Sequence, residues 1–393
     1  MLLISNKKIH ILFFLILNII LFSILIYGGS RHDYALYEIT WEGIISNEEV
    51  KYHTYGPLHL FFSFFYELHK LLPKLIFGTL FSILQFYLFF KILKNSKELI
   101  FYFYLIFPCN FLVISAIYFY GINESVVTFF FIFSIIMLIN KKYLISGFFF
   151  SISVLTKIYP LLLFPTLALE KKKINFKLIF SFSISTVILL LISIYKLDNN
   201  LLLDPIKFGS DRGPKFASIL SSLNYDFPNN LIIIYLIKFN SIMVLIFTFL
   251  TIIYCKIKNK CMLSSLIIVL LVILTTYKVG HIQYYIPLCG ICGILLTYKN
   301  LYLSYIKSIL PLIILLSLTS LTYSLTGGFD LINKKNFFWS IRENIGYVYF
   351  FINIITIYKI SKKNIVYRSN FIRCCFIWCI NFLKVLNNLF ILK

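Results

Sequence analysis

The chain has 393 residues, of which 60% are hydrophobic and 13% charged, with a formal net charge of +22 and a mean hydropathy of +0.88. No water-soluble globule has this composition, and runs of roughly 20 apolar residues, enough to span a bilayer, recur along the chain. The positive charge sits as lysines in short breaks between apolar runs, so it reads as topology and no nucleic-acid partner is expected.

The first run, His10 to Tyr27, follows Lys7 and Lys8 and leads through Gly28-Gly29-Ser30 into a charged segment without a small-residue cleavage site, which reads as a retained anchor. With the amino terminus inside, the next long span, Leu75 to Ile92, must return to the break at Lys91, Lys94 and Lys97. Residues 29–74 are then an outer loop, and Asp33, Glu38, Glu42, Glu48 and Glu49, five of the fifteen acids, fall in its first half. Within it, Tyr55-Gly56-Pro57-Leu58 leads into LHLFFSFFYELHKLL, read as an interfacial or half-inserted helix.

Further spans are expected over Leu99 to Tyr120, Ser125 to Asn140, Phe176 to Tyr195, Leu231 to Tyr254, Leu263 to Tyr277, Tyr284 to Leu296, Leu303 to Leu325 and Ile345 to Ile360. Tyr143 to Leu169 is too long for one span and too short for two, and reads as two half-length helices meeting at Lys157 to Pro160. The breaks at Lys141 and Lys142, Lys171 to Lys173, Lys256 to Lys260 and Lys359 to Arg368 all fall on the inner side. The expected fold is an all-α polytopic helical membrane protein with about 11–12 transmembrane helices. A single membrane domain over 1–365 carries outer loops at 29–74, 196–230 and 327–343, and a cytoplasmic amphipathic tail follows at 366–393.

Tyr and Phe are abundant everywhere, as codon bias in an AT-rich genome would make them, so aromatic stripes carry little functional weight. None of the eight cysteines falls in a long outer loop, which argues against a disulfide framework. Cys289 and Cys292 form a CxxC inside an apolar run with no second pair, and read as small core residues rather than metal ligands.

Charges in lipid are costly and functional by default. Lys157 stands in SISVLTKIYPLLLFP with apolar flanks on both sides. Gly121-Ile122-Asn123-Glu124-Ser125 opens a span with helix-starting chemistry and backbone N–H groups able to meet an anion. Asp211-Arg212-Gly213-Pro214-Lys215 lies in the second outer loop, and His281-Ile282-Gln283-Tyr284 starts a span on the same side. Taken singly, Asp33 reads equally as a solvated loop charge, Glu124 as a helix-start charge, Arg212 as surface and Lys157 as a snorkelling side chain. Together they place acids, bases and amides at the outer mouth of a helical bundle.

In this order, Asp33, Tyr55-Gly56-Pro57-Leu58, the Gly121 to Ser125 motif, Lys157-Ile158-Tyr159-Pro160 and Gln283-Tyr284 resemble the polyprenol-phosphate-sugar-dependent glycosyltransferases of GT-C fold. The likeness is to the catalytic subunit of GPI mannosyltransferase I and to glycosyltransferase family 87, is best from Phe107 to Leu169 and extends to about Leu296. Two departures stand out. The eukaryotic members carry an Asp-x-Asp pair where this chain has Arg31-His32-Asp33, and Glu124 replaces an aspartate.

The resemblance implies transfer of a hexose, mannose in the family, from a polyprenyl-phosphate sugar to a lipid-linked glycan or similar acceptor on the non-cytoplasmic face. Asp33 is the expected base, because the attacking hydroxyl must lose its proton. Lys157 is the first candidate to meet the phosphate, with Arg212 and His281 as second-line contacts; Tyr159, Asn123, Glu124, Gln283 and Tyr284 complete the expected substrate-binding set. No covalent nucleophile is evident, so inversion is expected. No cofactor is expected beyond the lipid-phosphate sugar, and divalent-metal dependence stays open because one aspartate is a poor metal site. With the lipid phosphate as its counter-charge, Lys157→Met should lose donor use and insert at least as well. A transporter or lipid flippase would also place charges inside a bundle, and a non-catalytic membrane subunit would account for the missing acid.

Overall fold

The computed structural model describes residues 7–30, 33–46, 48, 55–95, 99–170, 173–196, 212–298, 303–325 and 337–363. Arg31, His32, Glu49, Asp211 and the expected tail over 366–393 lie outside the described residues. Among the described residues, five helices are long and apolar enough to cross a membrane: Lys7–Gly28, Leu72–Lys94, Phe176–Tyr195, Asn240–Ile257 and Leu303–Ser324. The chain is a helical, multi-pass membrane protein.

The expected eleven or twelve crossings resolve into these long helices and a set of shorter apolar ones, among them Glu124–Ile139, Tyr143–Thr156 and Met262–Thr276. The two kinds occupy different places. Lys7–Gly28 and Phe176–Lys196 turn residues such as Ile19, Val187 and Leu191 outward, as lipid-facing helices do. By contrast nearly every residue of Met262–Thr276 and Ile286–Thr297 is buried, because a helix apolar on all sides is surrounded by other helices. A helix of about 15 residues rises only about 23 Å, short of the roughly 30 Å hydrocarbon core. Its ends therefore fall at depth, where polar groups must find partners within the protein.

Two expected single spans are broken, each for a local reason. Leu99 to Tyr120 becomes Ile100–Ile106 and Phe111–Phe119, bent by 41°. Pro108 lies in the break, and the Asn110 side chain restarts the helix by accepting a hydrogen bond from the Leu112 N–H at 2.9 Å. Leu231 to Tyr254 becomes Leu231–Lys238 and Asn240–Ile257. There the buried Asn240 donates to the Thr276 carbonyl at 2.7 Å and accepts from the Lys278 N–H at 2.9 Å, which pins the start of the second helix. The last helix, Phe337–Lys362, starts earlier than its expected bound and takes in part of the supposed third outer loop.

The segment around Lys157 is a hairpin. Tyr143–Thr156 ends at Lys157, whose backbone is extended, and Pro160 opens a 3₁₀ turn, Tyr159–Leu163, before Phe164–Ala168 returns. A two-residue antiparallel pairing, Leu169–Glu170 with Lys173–Ile174, then leads into Phe176–Lys196. Leu144 and Gly147 meet Ser181 and Phe182, so both helices begin at the same end and the Lys157 turn lies at the other.

The first outer loop is helical, with Asp33–Ile45, Pro57–Leu60 and Phe62–Leu68 packed over a buried cluster of Tyr34, Tyr37, Trp41, Tyr66 and Phe77. A second exception to an all-helical chain is a parallel pairing of Lys215–Phe216 with Val279–Gly280, which ties the second outer loop to the bundle. At the opposite end the lysine-rich breaks meet one another: Lys260 donates to the Ser361 carbonyl at 2.6 Å, Lys256 to the Leu169 carbonyl and Lys363 to the Ser304 carbonyl.

Candidate functional site

At the end of the bundle away from those lysines, the sequence motifs converge. Glu124 is the first residue of the Glu124–Ile139 helix and its side chain is fully buried. Such a carboxylate needs a cation, and Lys157, at the turn of the hairpin, supplies it through a salt bridge between its Nζ and Glu124 Oε1. The ammonium also lies 4.8 Å from the Tyr284 ring centroid and 5.6 Å from that of Tyr55, so aromatic faces share the charge. In the free protein the counter-charge of Lys157 is Glu124, where the sequence suggested a lipid phosphate.

The expected anion site on the backbone at Asn123 to Ser125 is also corrected. The Asn123 N–H bonds the Tyr37 hydroxyl, those of Val126 and Val127 bond the Asn123 carbonyl, and that of Ser125 bonds the Ile122 carbonyl. The position that an anion would take is filled by the chain's own carboxylate.

Asp33 opens the first helix of the outer loop and is partly exposed. Its Oδ2 accepts a hydrogen bond from Gln283 Nε2 at 3.2 Å, joining residues 250 positions apart. Tyr284, beside Gln283, packs against Tyr159 with ring centroids 5.4 Å apart and against His281 at 5.7 Å. The Lys215–Phe216 pairing with Val279–Gly280 carries Arg212 to the same place, within electrostatic reach of His281 and Tyr284. Burial, followed by the positive charges of Arg212, Lys157 and Lys215, holds the His281 imidazole down at about 3, so it is neutral at physiological pH. As a neutral ring it is no cation for a phosphate, though it can still exchange hydrogen bonds.

Asn123 takes a different role from the expected one. It is fully buried, accepts from the Tyr37 hydroxyl at 3.2 Å and bonds His59 Nδ1 through Nδ2 at 3.2 Å. The Trp41 indole donates to the His59 carbonyl at 3.2 Å. Asn123 thus fastens the outer loop to the start of the Glu124 helix. Burial keeps the Tyr37 phenol protonated, its ionisation pushed well above 10, which preserves this bond.

The sequence reading missed Lys74. It is fully buried and donates to the carbonyls of Gly29 at 2.8 Å and Phe119 at 2.7 Å, the exposed acceptors at the ends of two helices. Its stem lies against Gly121, whose φ of +64° and close approach both require glycine; a Cβ there would come within 2.6 Å of Lys74 Cγ. The one sequence signal was a lysine directly after Pro73 at the head of a long apolar helix. His59, likewise missed, stands one residue beyond the quoted Tyr55 to Leu58 motif.

Two buried polar atoms at the site have no hydrogen-bond partner among the described residues, Glu124 Oε2 and the hydroxyl of Tyr159. Among the described residues no three His, Cys, Asp or Glu side chains group as metal ligands, and Cys289 and Cys292 are buried in the Ile286–Thr297 helix. The arrangement offers a partly exposed carboxylate, a neutralised ion pair, an arginine and an aromatic wall in one place. No family model, curated protein or solved structure matches the chain.

Proposed function

We propose that the chain is an integral-membrane glycosyltransferase that moves a hexose from a polyprenyl-phosphate sugar to a lipid-linked acceptor on the non-cytoplasmic face. One observation carries the reading: the Asp33–Gln283 bond sets a partly exposed carboxylate at the mouth where Lys157 and Arg212 also lie. Asp33 takes the proton of the acceptor hydroxyl as that oxygen bonds the anomeric carbon. The bond from this carbon to the phosphate oxygen breaks, and the phosphate leaves with the electron pair towards the positive charge of Arg212. A single displacement inverts the anomeric centre.

The gathering of lysine-rich breaks at the far end supports the placement, since the positive-inside rule makes that end cytoplasmic. A lipid-borne donor fits a chain whose site is walled by apolar helices, and mannose rests on the resemblance to the GT-C enzymes alone. Asp33→Asn keeps the acceptor oxygen for Gln283 and removes only the base. Transfer from polyprenyl-phosphate hexose in membranes should fall by about 10²–10⁴-fold with the protein still folded. Full activity in that variant would overturn the assignment.

A specific observation favours transport as the second reading. Among the described residues the 41° pair Ile100–Ile106 and Phe111–Phe119 and the Tyr143–Ala168 hairpin are broken helical segments, and the hairpin carries the lysine of a buried ion pair. Discontinuous helices around charges are a transporter device. Flux or lipid flipping by purified protein in liposomes, with no glycosylated product, would replace the first reading with this one.

A further inference from the structure

We infer that the corner where Glu124, Lys157, Tyr159 and Tyr284 meet receives the sugar ring of the donor while its phosphate lies on Arg212, an assignment that rests on the glycosyl-transfer reading above. The salt bridge between Glu124 and Lys157 leaves that corner without net charge. A phosphate entering it would have to compete with the buried Glu124 carboxylate for an ammonium already paired. A neutral, hydroxyl-bearing ring meets no such barrier.

The unpartnered atoms match such a ring. Glu124 Oε2 can only accept, and a sugar hydroxyl can donate to it; the Tyr159 hydroxyl can donate to a neighbouring ring oxygen. Lys157, paired with Glu124, lies 4.8 Å from the Tyr284 ring centroid, and that ring packs on Tyr159 at 5.4 Å, so both atoms belong to one cluster. Buried polar atoms without partners are costly in the free protein, and a ligand that satisfies them gains that cost back as affinity. Phosphate recognition passes to Arg212, which lies, like Lys215, within electrostatic reach of a neutral His281 and carries a planar guanidinium suited to a phosphate.

The test compares two probes on the purified full-length chain in lipid nanodiscs: a short-chain prenyl-phosphate hexose and the same prenyl phosphate without sugar. The wild type should prefer the sugar-bearing probe by about tenfold or more, the value of one good charged hydrogen bond. Tyr159→Phe should cut that preference by about threefold or more and leave affinity for the bare prenyl phosphate unchanged. Arg212→Met should weaken both probes alike. Because the lost hydroxyl has no partner in the free protein, the melting temperature of Tyr159→Phe should be equal to or above that of the wild type. A Tyr159→Phe variant that keeps the full preference sinks the subsite and leaves the transfer reading standing. A sharp fall in its melting temperature also overturns the subsite, because the hydroxyl then serves folding. If the wild type binds neither probe, both readings fail.

Discussion

Lys74 and Lys157 are both lysines in apolar runs at the same end of the bundle, and the structure stabilises them in opposite ways. Lys74 spends its donors on the carbonyls of Gly29 and Phe119, at the negative ends of two helices. Lys157 is matched to a side-chain carboxylate whose second oxygen stays unpartnered, under two tyrosine faces. His281 shows a third solution, for burial and the neighbouring cations keep its charge off altogether. A buried cation closed on backbone is fastening the fold. One paired with a carboxylate that still has hydrogen-bonding capacity is poised for a ligand.

The largest effect should come from separating the second pair. Lys157→Met leaves Glu124 buried and unpaired, and about 3–5 kcal/mol of stability should be lost. Adding Glu124→Gln should restore most of it, read as melting temperature in detergent. Lys74→Met should cost at least about 1.5–3 kcal/mol, the value of one charge-assisted bond, and Glu124→Gln should not rescue it, because the carbonyls of Gly29 and Phe119 that lose their donor are backbone. Rescue of Lys74→Met, or failure of the double variant at Glu124 and Lys157, would erase the distinction.

The smallest effect belongs to His281. Its folded-state ionisation near 3 lies below the ordinary 6.5, so below 6.5 the unfolded chain takes up a proton that the folded chain does not. Stability is therefore intact at pH 7 and falls as the pH drops through 6.5 towards 3. Allowing for its partial exposure, the loss at pH 5 should be about 1 kcal/mol. His281→Gln should lack this part of the acid limb in a thermal-shift series.

Some of this was legible in the sequence because the cause is local. The hairpin at Lys157 follows from a charge and Pro160 within one apolar run, and the basic breaks announce helix ends on one side. Pairings at a distance were not legible. Glu124 and Lys157 were each identified, yet nothing in residues 33 positions apart says that one answers the other. The break at Phe239 depends on Asn240 meeting Thr276 and Lys278, and the place of Arg212 depends on a two-residue strand pairing with Val279–Gly280. Asn123 carried the right type for a site but is consumed by Tyr37 and His59, partners supplied by a loop whose helical packing the sequence did not reveal.

The fastening around Lys74 has a consequence for inheritance. A Cβ at Gly28 would stand 2.4 Å from the Phe119 oxygen and 2.9 Å from Lys74 Nζ, while Gly121 yields its space to the lysine stem. Positions 28, 74 and 121, scattered over almost a hundred residues, therefore form one hereditary unit. Across descendants of this chain the lysine should not outlast either glycine, while the glycines should outlast the lysine, because the Phe119 carbonyl still faces position 28 and the positive φ still holds at 121.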